Sequence, residues 1–165
     1  LDADIDTIIT TLRNTFDQKY ASLKNTNSTM TQHEIVTIAS LIEREGKHDA
    51  DRPIIASIIY NRLENDMPLQ IDATVQYILG FQPSEQSWWK RHLSFDDLKI
   101  NSAYNTYIQK TLPPTPIANP GVESLQAAVH PDQTDYLFYI TDKNGINRYA
   151  KTNEEHEKNI EKYGL

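Results

Sequence analysis

The feature that most constrains the fold is an apolar run of helical periodicity that ends on a glutamate, between Thr31 and Gly46. Thr31 and Glu34 have the spacing of a capping box, and Gly46 suits the position just past a helix end. The apolar positions share one helical face: Ile35, Ile38, Ala39, Leu41 and Ile42. This pattern predicts a core helix over Thr31 to Gly46.

The helix brings a carboxyl group to the edge of its apolar face. Glu45 follows Leu41 by one helical turn and Ile38 by two, whereas Glu43 falls further round the helix, nearer solvent. A carboxyl group held against apolar side chains has a raised pKa and can donate a proton near neutral pH. An acidic residue in a last turn is more often solvated or paired, so position alone does not make Glu45 catalytic.

Short motifs begin in this helix and continue along the chain in a definite order. They include Ala39 to Glu45, Asn61-Arg62-Leu63, Met67 to Gln70, Asp72-Ala73-Thr74, Ser102 to Tyr107, Leu112-Pro113-Pro114, Asn119-Pro120-Gly121 and Glu155-His156. These motifs resemble those of the MltG (YceG-like) family of endolytic murein transglycosylases, and the resemblance covers nearly everything from Glu34 to Tyr163.

The resemblance implies a reaction and a catalytic group. It implies cleavage of peptidoglycan glycan strands between N-acetylmuramic acid (MurNAc) and N-acetylglucosamine (GlcNAc), leaving 1,6-anhydroMurNAc ends without a cofactor. The family's catalytic glutamate falls on Glu45, as general acid and then base, with Glu43 as the second candidate.

Seven polar or aromatic residues are predicted to bind the sugar through hydrogen bonds or ring packing. Some also have structural interpretations: Asn61 can bond to backbone, Asp72 and Thr74 can cap a helix, and the tyrosines can be core residues. The predicted substrate-binding residues are Asn61, Gln70, Asp72, Thr74, Tyr104, Asn105 and Tyr107.

Two alternative functions stay open at this point. A hydrolytic muramidase would use Glu45 and Asp72 as its two carboxylates. A catalytically silent glycan-binding scaffold in cell-wall synthesis would need neither. Metal chemistry is not expected, because Glu45 and His48 form only one Glu-x-x-His spacing, and Gly46 interrupts it.

Charge and composition limit the partners. The net charge of −7 argues against nucleic acid, which is bound mainly through Lys and Arg. The absence of cysteine excludes disulfides and thiol nucleophiles. The family resemblance implies a glycan substrate at the extracytoplasmic face of the bacterial membrane, possible cell-wall synthesis partners, and a membrane anchor in a preceding part of a longer protein.

The remaining patterns predict an α+β fold, mainly helical with a small antiparallel strand element near the C-terminus. The family resemblance implies that the helical catalytic portion is lysozyme-like. Residues 1–30 are expected to form an N-terminal helix and connector, and residues 31–165 the catalytic domain. Further helices are predicted at Asp4 to Tyr20, at Arg52 to Asn65, from Asp72 as cap to just before Gly80, at Phe95 to Leu98 with Ser94 as cap, and at Glu123 to Val129. Strands at Tyr136 to Thr141 and Asn147 to Ala150 flank an Asn144-Gly145 turn signal and precede a C-terminal helix. A connector is predicted at Lys24 to Thr29, and the prolines between Leu112 and Gly121 exclude regular structure there.

Overall fold

The computed structural model describes residues 4–23 and 29–164. Its described residues form six α-helices and one two-stranded antiparallel sheet, so the predicted α+β class is confirmed. The elements are α1 (Ile5–Ser22), α2 (Gln32–Glu45), α3 (Arg52–Glu64), α4 (Asp72–Leu79), α5 (Val122–Val129), β1 (Phe138–Thr141), β2 (Asn147–Ala150) and α6 (Asn153–Tyr163).

Helix α2 is the centre of the core. Its predicted capping box is present: the Thr31 hydroxyl accepts from the Glu34 backbone N–H, and the Glu34 carboxylate accepts from the Thr31 backbone. Ile38, Leu41 and Ile42 are fully buried, as the periodicity predicts. Helices α3, α4 and α5 pack around α2, so the end of α2 is held on several sides.

The C-terminal hairpin forms where the Asn-Gly signal predicts it. Strand β1 pairs with β2 in a register that places Tyr139 opposite Tyr149, and Gly145 takes the left-handed conformation in the turn, with φ of 80°. The Asp142 carboxylate accepts from the Asn144 and Ile146 backbone and from Arg148. Helix α6 packs against both strands of the hairpin.

Helix α1 is confirmed, but its apolar face is not in the core. Asp4 caps it by accepting from the Thr7 backbone. No described residue of α1 is buried, and Ile5 and Leu12 are exposed to 75% and 66%. The connector predicted at 24–29 lies, apart from Thr29, outside the described residues, and the division near residue 30 stays a prediction.

Two local predictions need correction. Asp72 is not the cap of α4: Ile71 is the N-cap residue and Asp72 is the first helical residue. The Ser94 hydroxyl accepts from the Asp97 backbone N–H, but the element that follows is only a 3-10 turn at Asp97–Lys99, and its N-cap residue is Asp96. The predicted end of α2 at Gly46 is confirmed. Its φ is an ordinary −81°, so glycine is favoured there by packing, because an added Cβ would lie 2.6 Å from the Arg52 side chain.

The proline-rich segment 112–121 contains no helix or strand, as predicted. None of the helices formed by residues 4–23 and 29–164 is both long enough and apolar enough to span a membrane.

Candidate active site

A cavity of about 350 Å³ lies where the end of α2 meets α3, the start of α4 and the hairpin. Isoleucine and leucine side chains from α3 and the following loop form part of its wall. Its polar lining includes acidic, basic, amide and phenolic groups: Glu45, Arg62, Gln70, Asp72, Tyr107, Tyr139 and His156. The cavity therefore combines an apolar wall with groups that can donate, accept or transfer protons.

Glu45 lies in this cavity as the last residue of α2. Burial is the largest influence on its carboxyl group and raises its pKa, and the nearby charge of Asp72 raises it further. A hydrogen bond from the Tyr139 hydroxyl to Glu45 Oε2, 2.5 Å long, acts in the opposite direction, as does the charge of Arg44. The balance favours the protonated acid, as the sequence argument expects.

Glu43 has the opposite environment. Its Oε2 accepts from the Ser124 hydroxyl at 2.7 Å and from the Gly121 backbone N–H at 3.0 Å. Gly121 is the N-cap residue of α5, so this carboxylate lies at a helix N-terminus. The Ser124 and Gly121 hydrogen bonds lower the Glu43 pKa, and this residue does not line the cavity.

Three predicted binding residues share the cavity with Glu45. The Tyr107 hydroxyl donates to Asp72 Oδ1 on the exposed start of α4. Burial raises the Tyr107 pKa, and this hydrogen bond raises it further, so the Tyr107 hydroxyl keeps its proton. Gln70 holds a left-handed backbone with φ of 54°, and strained residues of this kind occur often at functional sites.

The structure does not bring the other four predicted residues to this cavity. Thr74 and Asn105 are fully buried. The Thr74 hydroxyl bonds to the Ile71 carbonyl and pairs with the Thr106 hydroxyl, while the Asn105 amide donates to the Leu98 and Ile100 carbonyls. These contacts fix the loops around α4 and leave neither side chain exposed to a ligand.

Asn61 and Tyr104 lie at other places on the surface. The Asn61 amide donates to the Thr134 and Tyr136 carbonyls and lines a separate cavity of about 520 Å³. Tyr104 packs against Tyr77, with ring centroids 5.2 Å apart, and its hydroxyl pairs with that of Thr115. Asn61 therefore bonds to backbone, as its structural interpretation expects, and its contact with substrate stays a prediction.

Arg62 was missed as a cavity residue. It is 8% exposed, and its guanidinium donates to the backbone carbonyls of Leu137, Pro68 and Leu69 and to the Gln70 side chain. It thereby ties α3 to the hairpin and to the strained Gln70 loop. Its place within the Asn61-Arg62-Leu63 motif was the signal that could have identified it.

Tyr139 and His156 were also missed, because they reach the cavity from the C-terminal hairpin and α6. The His156 ring stacks on Phe138, with centroids 5.2 Å apart. Its Nδ1 is buried and has no hydrogen-bond partner among the described residues. Burial lowers the His156 pKa, so the neutral ring is favoured in the cavity wall.

The acidic residues after α2 are engaged in other contacts. Asp49 pairs with Arg52 at 2.8 Å, and Asp51 accepts from the Tyr149 hydroxyl at 2.7 Å. Across residues 4–23 and 29–164, no three His, Asp or Glu side chains are grouped as a metal site would require. The Glu45 to His48 spacing thus does not gather a ligand set in the described part of the chain.

Comparison with known proteins agrees with the sequence resemblance. The chain is 45% identical over 150 residues to the endolytic murein transglycosylase of Bacillus subtilis (strain 168), covering 91% of this chain and 39% of that protein. It is 32% identical over 160 residues to the endolytic murein transglycosylase of Streptococcus pneumoniae serotype 2, covering 94% of this chain and 28% of that protein. The chain thus spans well under half the length of these curated relatives.

A solved structure and a family model extend this likeness to the fold. The crystal structure of a putative YceG-like protein from Listeria monocytogenes matches with a TM-score of 0.75 and 36% identity, covering 96% of this chain and 49% of that one. The model of the YceG-like family matches residues 2–162. The chain belongs to the YceG-like family.

Proposed function

We propose that this chain cleaves peptidoglycan glycan strands between MurNAc and GlcNAc and leaves 1,6-anhydroMurNAc ends. The observation that carries the proposal is Glu45, a carboxyl group with a raised pKa in a cavity that also offers several hydrogen-bonding groups. The names of the curated relatives, endolytic murein transglycosylase, support peptidoglycan as the substrate class.

The reaction needs one group that first gives and then takes a proton. Protonated Glu45 donates to the glycosidic oxygen as the bond from that oxygen to the MurNAc anomeric carbon breaks. The resulting Glu45 carboxylate then removes the proton from the muramoyl 6-hydroxyl, whose oxygen bonds to the same anomeric carbon. Glu45 ends protonated, as it began, and no water is consumed.

Intramolecular attack suits this reaction because the 6-hydroxyl is already attached to the sugar that it attacks, so no separate nucleophile must be positioned. Glu43 is the weaker candidate for the acid. Its lowered pKa keeps it ionised at neutral pH, and its carboxylate oxygen is already occupied by Gly121 and Ser124.

A muramidase is the second candidate, and one observation favours it. Asp72 lines the same cavity as Glu45, and its charge acts on the Glu45 carboxyl group. Asp72 does not cap α4, so its carboxylate is not engaged in a helix-capping hydrogen bond. In this alternative, water replaces the muramoyl hydroxyl and Asp72 is the second carboxylate.

The cellular setting is part of the proposal. The full-length protein would act at the extracytoplasmic face of the bacterial cytoplasmic membrane, held there by an anchor outside this chain, and would work beside cell-wall synthesis proteins. Residues 31–165 would form its catalytic domain. Support for this setting comes from the family membership and from the peptidoglycan substrate that the relatives' names imply.

The test is the identity of the new glycan ends. Purified glycan strands are digested with the chain in water enriched in heavy oxygen, and the fragments are analysed by mass spectrometry. We expect ends lighter by one water than hydrolysed ends, without a reducible terminus and without heavy oxygen.

Other product patterns would overturn the proposal in distinct ways. Reducing MurNAc ends that carry heavy oxygen would establish the muramidase alternative and give Asp72 a direct role. Strands that bind but stay intact, with both this chain and a full-length form, would favour the non-catalytic glycan-binding scaffold.

A further inference from the structure

The hairpin places one hydroxyl group directly on the proposed acid. Tyr139 lies in β1, 94 residues beyond Glu45, and its hydroxyl donates to Glu45 Oε2 at 2.5 Å. Both side chains line the same cavity. Among the described residues, this is the only hydrogen bond to the Glu45 side chain, so Oε1 is the oxygen left to meet a ligand.

Tyr139 is held by more than its own strand. The β1–β2 register pairs it with Tyr149, and α6 packs against the hairpin. On the opposite side, Arg62 Nε donates to the Leu137 carbonyl at 2.6 Å, and the Asn61 amide donates to the Tyr136 carbonyl. Side chains of α3 thus fix the chain that leads into β1, and they restrict movement of the Tyr139 hydroxyl.

We propose that Tyr139 is a positioning residue that occupies Oε2 of Glu45 and thereby reserves Oε1 for the proton that is transferred. The inference rests on the proposed function of Glu45 and adds a task for a residue outside α2. A carboxylic acid can carry its proton on either oxygen, and only the oxygen that faces the glycosidic bond is useful. A donor on Oε2 disfavours a proton there, because Oε2 must accept.

The proton balance follows from this arrangement. Before transfer, Glu45 carries its proton on Oε1 and accepts the Tyr139 O–H on Oε2. After transfer, the same hydrogen bond stabilises the carboxylate that forms. Burial, together with the charge of Glu45, raises the Tyr139 pKa well above its ordinary value, so Tyr139 keeps its own proton throughout. Tyr139 orients the acid and does not exchange protons with the sugar.

Other charged and titratable groups lie around this pair, and the charges of two of them act on Glu45. Asp72 raises the Glu45 pKa and Arg44 lowers it. The remaining groups belong to α3, the loop after α4, and α6: Arg62, Tyr107 and His156. None of these three donates a hydrogen bond to Glu45. Removing the Tyr139 hydroxyl therefore leaves all of them in place.

The experiment replaces that hydroxyl alone. Tyr139→Phe keeps the ring, and we expect kcat/KM for glycan cleavage to fall by about tenfold at the pH optimum, because the acid is less well oriented. The alkaline limb of the pH profile should move to higher pH, since the lost hydrogen bond lowered the Glu45 pKa. A purely structural role would reduce the folded fraction and leave the limb in place.

The matched control is Tyr149→Phe. It removes a hydroxyl from the paired strand that also donates to a carboxylate, that of Asp51, outside the cavity. This variant should keep the wild-type alkaline limb. A shift of equal size in Tyr149→Phe would overturn the specific role of Tyr139.

A titration separates this inference from the proposed reaction. The Glu45 carboxyl is followed by carbon NMR in the wild-type chain and in Tyr139→Phe. A Glu45 pKa unchanged by the substitution would overturn the positioning role, whatever the activity. A raised Glu45 pKa, together with a wild-type chain that forms no anhydro ends, would support the Tyr139 contact and overturn the proposed reaction.

A second variant covers the case in which Tyr139→Phe does not fold. In Glu45→Gln the Tyr139 pKa should fall towards its ordinary value, because the carboxylate of Glu45 helps to raise it. A Tyr139 titration unaffected by Glu45→Gln would show that the two groups are not in contact and would overturn the inference.

Discussion

The two faces of the last turn of α2 present the same kind of side chain to opposite surroundings. Glu43 meets backbone and hydroxyl donors at the start of α5, and these donors stabilise its carboxylate. Glu45 meets the cavity, where burial destabilises the carboxylate and one phenolic donor only partly offsets that effect. The proton affinity of each group is thus set by its neighbours in the fold.

The comparison separates structural from chemical roles. A carboxylate that satisfies a helix N-terminus stabilises the fold and is a poor acid near neutral pH. A carboxyl group that the fold leaves partly unsatisfied costs stability and is a better acid. Glu43 and Glu45 fit these two descriptions.

The largest expected effect is on catalysis. Glu45→Gln keeps the shape of the side chain but removes the transferable proton, so kcat/KM for glycan cleavage should fall by about 10³-fold, within the usual range for a general acid. Glu43→Gln should retain activity within a few-fold, because an amide oxygen can still accept from Gly121 and Ser124. Release of labelled glycan fragments measures both.

A control keeps this result from being a folding artefact. Circular dichroism spectra of Glu45→Gln and Glu43→Gln should match that of the wild type. If Glu43→Gln is inactive and Glu45→Gln is active, the assignment of the acid is reversed.

The next effect is on stability, where the substitution at Glu43 should matter and the substitution at Glu45 should not. Glu43→Ala removes the acceptor of two hydrogen bonds at the start of α5 and should lower the free energy of unfolding by about 1–3 kcal/mol. Glu45→Gln should not lower that free energy at pH 7. Urea unfolding followed by circular dichroism gives both values. A destabilised Glu45→Gln beside a fully stable Glu43→Ala would contradict the division of roles.

The same contrast appears in the pH dependence of stability. The Glu43 pKa is depressed from about 4.5, so its contribution is present above that pH and is lost as the pH falls through the lower folded value. The Glu45 pKa is raised from about 4.5, so its ionisation costs stability as the pH rises through the interval above that value.

Two difference curves measure this. The stability deficit of Glu43→Gln relative to wild type should shrink below pH 4.5, whereas a stability gain of Glu45→Gln should develop as the pH rises above it. Parallel curves for the two variants would mean that the two carboxyl groups have similar environments. The contrast drawn between Glu43 and Glu45 would then be wrong.

The sequence predicted what depends on local pattern. The capping box, the buried face of α2 and the hairpin turn at Gly145 are each set by residues close together in the chain. The position of Glu45 beside the apolar face follows from the same helical periodicity. These signals suffice to place the Glu45 carboxyl group and the elements that carry it.

What the sequence could not predict depends on contacts between distant segments. Amphipathic α1 has the helical pattern of a core element, yet its apolar face stays exposed in the described structure. Tyr139 reaches Glu45 across 94 residues, and Glu43 reaches Gly121 across 78. Asn105 and Thr74 are polar residues within family motifs, but they bond to backbone and hydroxyl groups in the interior. Periodicity does not encode such pairings.

The smallest expected effect tests the second carboxylate of the cavity. The charge of Asp72 raises the Glu45 pKa, so Asp72→Asn should lower that pKa and move the alkaline limb of the kcat/KM profile to lower pH. An amide oxygen can still accept from the Tyr107 hydroxyl, and the loss at the pH optimum should stay below about tenfold, since no proton transfer is removed.

Asp66→Asn is the matched control for this last change. Asp66 is exposed, pairs with Lys110 at 2.7 Å and does not line the cavity, and asparagine tolerates its left-handed φ of 53°. This variant should leave the pH profile unchanged. A loss of activity in Asp72→Asn as large as that in Glu45→Gln would instead make Asp72 a direct participant. The cavity would then hold the two-carboxylate pair of a muramidase, and its products should incorporate oxygen from water.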